Sequence, residues 1–196
     1  MCHPTHSRPP AAPITTGSVA SEERLQITAD DGNRFNAFRV EPTVPLGRGI
    51  VLLPDVRGLH PFYEDLARRF AEAGFHTLVL DYYGRSAGLS PRDDDFDGLA
   101  HLALLDAAHV EADVTAAVAK LREWTPGPVF TVGFCLGGAY SWRMASADLK
   151  LAGAVGFYGP PRFLGDRAPH LSAPLLMLLA GDDVATTSEQ FQALAG

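Results

Sequence analysis

Five near-continuous apolar runs limit most strongly how this chain can fold. They are GIVLLPD (49–55), HTLVLDYY (76–83), VFTVGFC (129–135), AGAVGFYG (152–159) and PLLMLLAGDD (174–183). A strand buried on both faces is apolar along its whole length, whereas a half-exposed strand alternates apolar and polar residues. The runs therefore predict strands of a parallel sheet that helices cover on both faces.

Amphipathic stretches between these runs supply the helices. Residues 61–73 form one such stretch, ended by Gly74, and residues 106–124 form another with a stripe of valines and a leucine. Strands that alternate with helices in this order predict the α/β class, with an open, doubly wound and mostly parallel sheet. A last helix is predicted to begin at residue 188.

The N-terminal part of the chain follows a different pattern. Residues 24–29 and 35–40 are β-rich and flank the turn sequence Asp-Asp-Gly-Asn at 30–33, so they predict an antiparallel hairpin. Residues 1–20 are rich in Pro, Ser, Thr and Ala and have no apolar stretch typical of a secretory signal. We expect a mobile leader over 1–20 and one domain over 21–196.

Composition excludes several classes of function. With 46% hydrophobic residues in 196, the chain can bury one core, and its net charge of −7 offers no basic surface for nucleic acid or anionic lipid. No apolar run is long enough to span a membrane, which predicts a cytoplasmic protein. The two cysteines, Cys2 and Cys135, make no disulfide framework, and no spacing of His and Cys is typical of a metal site. We expect no metal, no cofactor, and a monomer or small homo-oligomer.

The run TVGFCLGG, residues 131–138, carries the chemistry. Gly-x-Cys-x-Gly where a strand gives way to a helix is the pattern of a nucleophile elbow, in which a tight turn exposes a nucleophilic side chain. The N-terminus of the following helix favours a thiolate at Cys135, and the amide of Leu136 faces the oxyanion of an acyl transition state. The alternative is a buried cysteine packed as a small apolar residue. The two flanking glycines favour the nucleophile.

With these motifs in place, the chain resembles the dienelactone hydrolase family of α/β-hydrolases. The resemblance covers about residues 24–196 and rests on LLPDVRGLHPFYEDLARRFAEAGF, LDYYGRSAG, VGFCLGG, GAVGFYG and LLAGDD. It implies an α/β-hydrolase fold and a Cys-His-Asp triad with Cys135 as nucleophile and Asp183 as the acid. It also implies a second oxyanion amide at Val56.

The resemblance assigns two further residues to substrate binding. Arg85, after DYYG, matches an arginine that binds a substrate carboxylate. Asp55 stands where the family often has a glutamate that contacts the thiol, and it is one methylene shorter. Each residue has another interpretation: Arg85 can pair with Asp81 or a surface carboxylate, and Asp55 can be a turn residue that closes its strand.

Three other acidic or basic features leave alternatives open. Asp182 competes with Asp183 for the role of acid, and Asp183 is favoured. His60 can line the mouth of the site, although a histidine at the start of a helix is more often structural or solvated. Residues 92–97, RDDDFD, predict a solvated loop that leads to a helix cap.

A catalytic base is missing from the pattern. In this fold the triad order along the chain is nucleophile, acid, histidine, yet all seven histidines precede Asp183. We therefore expect that the sequence is truncated, with the last strand, a helix and the histidine lying beyond Gly196. His170 acting as base from a non-standard position is the less favoured alternative.

The resulting prediction is a hydrolase of the dienelactone hydrolase type. Cys135 attacks an ester or enol-lactone of a small acyl substrate, which can also bear a carboxylate, and water releases the acyl-enzyme. Two other functions remain open. One is a catalytically silent binding protein, and the other is a thioesterase or acyl-transfer enzyme on the same scaffold.

Overall fold

Seven strands form one mixed sheet in this computed structural model, which describes residues 6–181, 187, 189, 190 and 192. The strands are β1 (Val19–Thr28), β2 (Arg34–Pro42), β3 (Gly49–Leu53), β4 (His76–Leu80), β5 (Val129–Phe134), β6 (Gly153–Phe157) and β7 (Leu175–Leu178). Their order across the sheet is β1-β2-β4-β3-β5-β6-β7. The first two strands pair antiparallel, β2 pairs antiparallel with β4, and all later pairs are parallel. The predicted hairpin and the predicted α/β sheet are both confirmed.

Five α-helices lie between these strands. They are α1 (Pro61–Glu72), α2 (Gly84–Ala87), α3 (Gly98–Leu102), α4 (Ala107–Arg122) and α5 (Leu136–Met144), with two short 3-10 helices at Pro161–Phe163 and Gly165–His170. None of the helices in the described ranges has the length and apolar character needed to cross a bilayer. The predicted helix from residue 188 falls largely outside the described residues.

Each face of the sheet has its own core, which explains the apolar runs. On one face Tyr63, Ala67 and Ala71 of α1 pack against buried residues of β2, β3 and β4. On the other face α4 and α5 pack against alternate residues of the same strands, such as Val51 and Leu53 of β3. Because helices cover β3 and β4 on both faces of the sheet, neither face of these strands carries a polar stripe.

The last apolar run is a partial exception to the predicted two-sided burial. Leu176 and Leu178 of β7 are 51% and 37% exposed, and they alternate with half-buried Leu175 and Met177. In the described part of the sheet, β7 is the edge strand beyond β6 and has one strand neighbour. Fewer side chains from helices and neighbouring strands cover an edge strand than a central one. The apolar sequence of β7 therefore did not by itself determine how deeply the strand is buried.

The predicted leader is partly joined to the body of the protein. The amides of Thr16 and Gly17 donate to the carbonyl of Glu72 at the end of α1, and Arg8 pairs with Asp65. The first strand starts at Val19, two residues inside the predicted leader. Mobility of the segment stays a prediction.

The segment RDDDFD contains a correction. Asp97 caps α3 by accepting the amide of Ala100, as predicted, but Arg92 is 5% exposed rather than solvated. Its guanidinium bonds to the buried carboxylate of Asp81, with Nη2 2.8 Å from Oδ2, and to the carbonyl of Gly88. The sequence did not predict this because the partner is 11 residues away on another loop.

We predict that breaking this buried pair destabilises the protein strongly. Arg92→Met leaves the Asp81 carboxylate buried without its cation, and such losses cost about 3–5 kcal/mol of unfolding free energy. The control is Lys150→Met, which removes the ion pair between Lys150 and Asp148. These two side chains are 80% and 83% exposed, and exposed pairs contribute less than about 1 kcal/mol to the unfolding free energy. Urea unfolding measures both, and equal small effects would contradict the prediction.

Candidate functional site

Cys135 lies in the sharp turn between β5 and α5. Its backbone has φ 52° and ψ −118°, a region that residues other than glycine rarely adopt. The amide of Cys135 donates to the carbonyl of Phe157 at the end of β6, 2.9 Å away, and the side chain is half-buried. This is the strained turn that the sequence pattern predicts for a nucleophile elbow.

Glycines at both ends of the elbow are required by close backbone approach. A Cβ on Gly133 would collide with the carbonyl oxygen of Gly137, one turn further on. A Cβ on Gly137 would collide with the carbonyl oxygens of Leu53 and Pro54, at the end of β3. The helix start is thus pressed against the neighbouring strand, and only glycine leaves room for that contact.

The register of β3 with β5 brings the second predicted oxyanion amide to the same edge. Leu53 pairs with Gly133, so Val56 and Leu136 each lie three residues past a matched pair. Neighbouring strands are about 4.8 Å apart, which keeps the two loops side by side. As the first residue of α5, Leu136 has an amide with no acceptor inside the helix. Val56 and Leu136 therefore both follow strands that end at the same carboxyl edge of the sheet.

Two tyrosines after β4 hold the loop that carries Val56. The hydroxyl of Tyr82 donates to the carbonyl of Pro54 at 2.9 Å, and that of Tyr83 donates to the carbonyl of Val56 at 2.6 Å. Burial raises the pKa of both phenols, so both remain protonated donors. We refer to residues 54–58, which include the predicted oxyanion amide of Val56, as the oxyanion loop.

Asp55 and Arg57 form an ion pair within the oxyanion loop. Asp55 is 1% exposed as a whole residue, and its carboxylate accepts Arg57 Nε at 3.1 and 3.2 Å and Nη2 at 2.5 Å. His60 Nε2 lies 3.7 Å from Asp55 Oδ1, and His60 is 5% exposed, so it is buried rather than solvated. Burial by itself would raise the pKa of Asp55, but its interactions with His60 and Arg57 outweigh it and hold the pKa well below its usual range.

Arg85, on α2, faces two carboxylates. Its Nη2 lies 2.6 Å from Asp31 Oδ2 in the hairpin turn and 3.0 Å from Asp113 Oδ1 on α4. Asp113 is buried and also accepts Asn33. Asp81 is bonded to Arg92, so the predicted pairing of Arg85 with Asp81 is wrong, while its pairing with other carboxylates is confirmed. Binding of a substrate carboxylate by Arg85 stays a prediction.

Aromatic rings line the edge beside the nucleophile, on the face that α1 covers. Phe134, directly before Cys135, stacks on Phe157 with ring centroids 4.6 Å apart and an interplanar angle of 7°. Tyr63 contacts both Phe134 and His60. Stacked rings of this kind give the edge a flat apolar surface.

Within the described residues, neither a predicted acid nor a predicted base lies beside Cys135. Asp183, like its competitor Asp182, lies outside them. His170 precedes the segment in which Ser172 and Ala173 donate to Ala145, at the carboxyl end of α5. Cys135 lies directly before the amino end of α5. The nine residues of this helix rise about 1.5 Å each, so its two ends are about 13 Å apart. This placement gives no support to His170 as the base.

A cavity of about 630 Å³ lies next to the oxyanion loop, between the hairpin and the start of α1. Leu59 and Asp81 line it, whereas Cys135 and Val56 do not. Four of the five charged residues that line it form two pairs, Arg24 with Glu64 at 2.7 Å and Arg92 with Asp81, and Asp93 is the fifth. In the described ranges, no three potential metal ligands come together.

Sequence reasoning missed Arg57, Tyr82 and Tyr83. The tyrosines appeared only as apolar parts of the run HTLVLDYY, and their hydroxyls find partners in the loop after β3. Arg57 had a local signal, since Asp-x-Arg-Gly places an Asp two residues before a backbone amide, a spacing typical of an Asx turn.

Comparison with known proteins identifies relatives of this chain. The sequence model of the dienelactone hydrolase family matches residues 35–195. "Carboxymethylenebutenolidase 1" of Cupriavidus pinatubonensis is 30% identical over 142 residues, which are 69% of this chain and 60% of that protein. "Carboxymethylenebutenolidase" of Pseudomonas putida is 28% identical over 174 residues, covering 82% of this chain and 71% of that protein. The chain thus spans less than two thirds of the Cupriavidus relative.

Solved structures show the same fold at low sequence identity. A Klebsiella pneumoniae protein assigned to the dienelactone hydrolases has a TM-score of 0.77 at 23% identity, over 89% of this chain and 78% of that one. A dienelactone hydrolase-like promiscuous phosphotriesterase from metagenomic libraries has a TM-score of 0.73 at 24% identity, over 91% and 76%. These likenesses establish the α/β-hydrolase fold.

We predict that the elbow does not accept a methyl group at position 137. In Gly137→Ala the new Cβ meets carbonyl oxygens of β3, which cannot move without disturbing the sheet, so we expect a loss of about 1–3 kcal/mol of unfolding free energy. The control is Gly153→Ala, where the nearest atom is Phe130 Cδ1 at 3.3 Å, with a change of at most about 1 kcal/mol. Denaturant unfolding compares the two. Similar stabilities for both variants would contradict the close packing described.

Proposed function

This chain belongs to the dienelactone hydrolase family, and from that membership we propose that it is a hydrolase that cleaves an ester or enol-lactone through Cys135. The observation that supports the proposal is the strained turn at Cys135 between β5 and α5, together with the register that levels the end of β5 with the end of β3. The chain spans 60% of the Cupriavidus relative, and the reaction is proposed for a protein of full family length.

In the proposed reaction the Cys135 sulfur attacks the carbonyl carbon of the substrate. The carbonyl oxygen becomes an oxyanion, which the amides of Leu136 and Val56 stabilise by hydrogen bonds. The thiol proton passes to a histidine oriented by Asp183 and then to the leaving oxygen, as family resemblance implies. Water next attacks the thioester, and the acid product leaves with the thiol restored.

The names of the relatives suggest the class of substrate. Carboxymethylenebutenolidases open an enol-lactone, a planar conjugated ring, and we propose a small acyl compound of that kind here. The stacked pair Phe134 and Phe157 supports a flat acyl group, because aromatic faces pack well against planar ligands. Arg85 and Asp55 are the proposed substrate-contacting residues carried over from the family.

The identity of the nucleophile is tested by replacing each cysteine in turn. We expect Cys135→Ala to reduce hydrolysis of p-nitrophenyl acetate to the uncatalysed rate, because no other described side chain occupies the elbow. Cys2→Ala is the matched control and retains full activity, since it lies 133 positions earlier, in the predicted leader. Mass spectrometry after a rapid quench detects the acyl group on the peptide that contains Cys135.

Three outcomes would count against the proposal. Hydrolysis that persists in Cys135→Ala assigns the reaction to another group. Absence of hydrolysis and acylation in the wild-type protein of full family length favours a silent binding protein instead. Turnover of acyl thioesters well above that of oxygen esters points to the thioesterase alternative.

The role of Arg85 is tested with a pair of substrates. If Arg85 binds a carboxylate, Arg85→Gln raises KM for an ester that bears a carboxylate by about 10-fold or more, because a charged hydrogen bond contributes about 1.5–3 kcal/mol. KM for the matching neutral ester stays the same. If Arg85 serves only to hold Asp31 and Asp113 together, both esters are affected equally and the carboxylate role is wrong.

A further inference from the structure

The direction of the Val56 amide is determined by its neighbours in the oxyanion loop. This N–H belongs to the peptide unit whose carbonyl is that of Asp55, and a peptide unit is planar. In a trans unit the N–H points in the direction opposite to the carbonyl. The Asp55 carbonyl accepts the amide of Gly58 at 3.0 Å, so the Val56 N–H points away from the turn. Gly58 has φ 73°, which closes the turn.

The side chain of Asp55 reinforces the same turn. Its Oδ1 accepts the amide of Arg57 at 2.9 Å, and both carboxylate oxygens accept the Arg57 guanidinium. The two side chains that flank Val56 are therefore bonded to each other across it. The guanidinium is 17% exposed and the carboxylate 2%, so water competes little for this pair.

We propose that Asp55 and Arg57 are positioning residues, which hold the Val56 amide toward the oxyanion and leave the thiol proton of Cys135 to another group. The inference rests on the proposed function. Family resemblance places a carboxylate near the thiol, where it can accept a hydrogen bond or a proton. In this chain that carboxylate is one methylene shorter and bonded to Arg57 through its side chain.

The charge state of Asp55 supports this division of roles. Interactions with His60 and Arg57 overcome the effect of burial and keep the pKa of Asp55 well below its usual range, so the group is a weak base. Arg57 and His60 contact this carboxylate. The buried phenols of Tyr63, Tyr82 and Tyr83 also lie near it: burial raises their pKa, and the charge of Asp55 raises it further. An ion pair that survives across the working pH range can keep a loop in one geometry throughout.

Two reactions of the Cys135 thiol distinguish a role of Asp55 in positioning the Val56 amide from a role in accepting the thiol proton. Ester hydrolysis builds an oxyanion and needs the Val56 amide. Alkylation of Cys135 by iodoacetamide occurs at a tetrahedral carbon: the sulfur–carbon bond forms, iodide leaves, and no oxyanion arises. Its rate follows the thiolate fraction, which depends on whatever group accepts the thiol proton.

The experiment compares Asp55→Asn, Arg57→Gln and Arg57→Lys with wild type. We expect the first two to lower kcat for p-nitrophenyl acetate by roughly 10–100-fold, less than the 10²–10³ of deleting an oxyanion donor, with KM little changed. Arg57→Lys keeps the charge and recovers part of kcat. The alkylation rate of Cys135 and its pH midpoint stay as in wild type for all three.

Arg68→Gln is the matched control. Arg68 also bonds a carboxylate through two nitrogens, that of Glu22, but it does so on the surface of α1. We expect its kcat and its alkylation rate to equal those of wild type. Thermal melting of every variant identifies those that fold.

Several results would overturn the proposal. A shifted pH midpoint of alkylation in Asp55→Asn means that Asp55 controls the thiol proton. An unchanged kcat in both Asp55→Asn and Arg57→Gln means that the pair does not position the amide. If Asp55→Asn does not fold, Arg57→Gln and Arg57→Lys decide the question by the same readouts.

A measurement independent of activity separates this inference from the proposed function. Amide hydrogen exchange of the peptide that contains residues 54–58 is expected to speed up at least 10-fold in Arg57→Gln and to stay unchanged in Arg68→Gln. Unchanged exchange in Arg57→Gln overturns the positioning role even if Cys135 proves to be the nucleophile. Faster exchange supports it even if Cys135→Ala remains active and the proposed reaction fails.

Discussion

The parallel register between β3 and β5 is the constraint on which the rest of the site depends. Pairing of Leu53 with Gly133 places the ends of two strands level, so the elbow and the oxyanion loop leave the sheet side by side. Gly137 then packs against the carbonyl oxygens at the end of β3, and no other residue fits there. A slip of the register would separate the two loops and remove the packing that holds the elbow in its strained conformation.

The neighbouring strand β4 provides the second level of support. The segment after it contributes Asp81, Tyr82 and Tyr83, and each bonds to the loop that follows β3. Asp81 itself is held by Arg92 in a buried ion pair. Single hydrogen bonds contribute only about 1 kcal/mol each, but here they act on residues 54–59, the oxyanion loop and the residue after it, which leaves that segment little freedom. A site that stabilises a transient oxyanion benefits from such rigidity, because its donors need not reorganise during the reaction.

Much of the architecture was predictable because it follows from local patterns. Apolar runs of strand length predicted the central parallel strands, and the Asp-Asp-Gly-Asn turn predicted the hairpin. The Gly-Phe-Cys-Leu-Gly pattern predicted a tight turn at Cys135, since those glycines allow it. Asp97 and Asp106 cap α3 and α4, as expected for short acidic side chains before a helix.

Contacts between distant segments were not predictable. Arg92 was interpreted as solvated because its neighbours in sequence are acidic, yet its partner Asp81 lies on another loop and removes it from water. Arg85 was given three possible partners, and the structure places it between Asp31 and Asp113. Charged residues carry no local signal of burial, because a charge is buried only where the fold supplies an opposite charge.

By itself, the sequence determined the α/β class and the position of the tight turn at Cys135, because strand and turn propensities act over a few residues. Only the tertiary structure decided how Cys135 is surrounded. It brought Tyr82 and Tyr83 to the oxyanion loop and placed His170 at the far end of α5. It also showed that Asp55 is bonded to Arg57. These facts depend on which strands are neighbours and in what register, and that arrangement arises from the packing of the whole sheet.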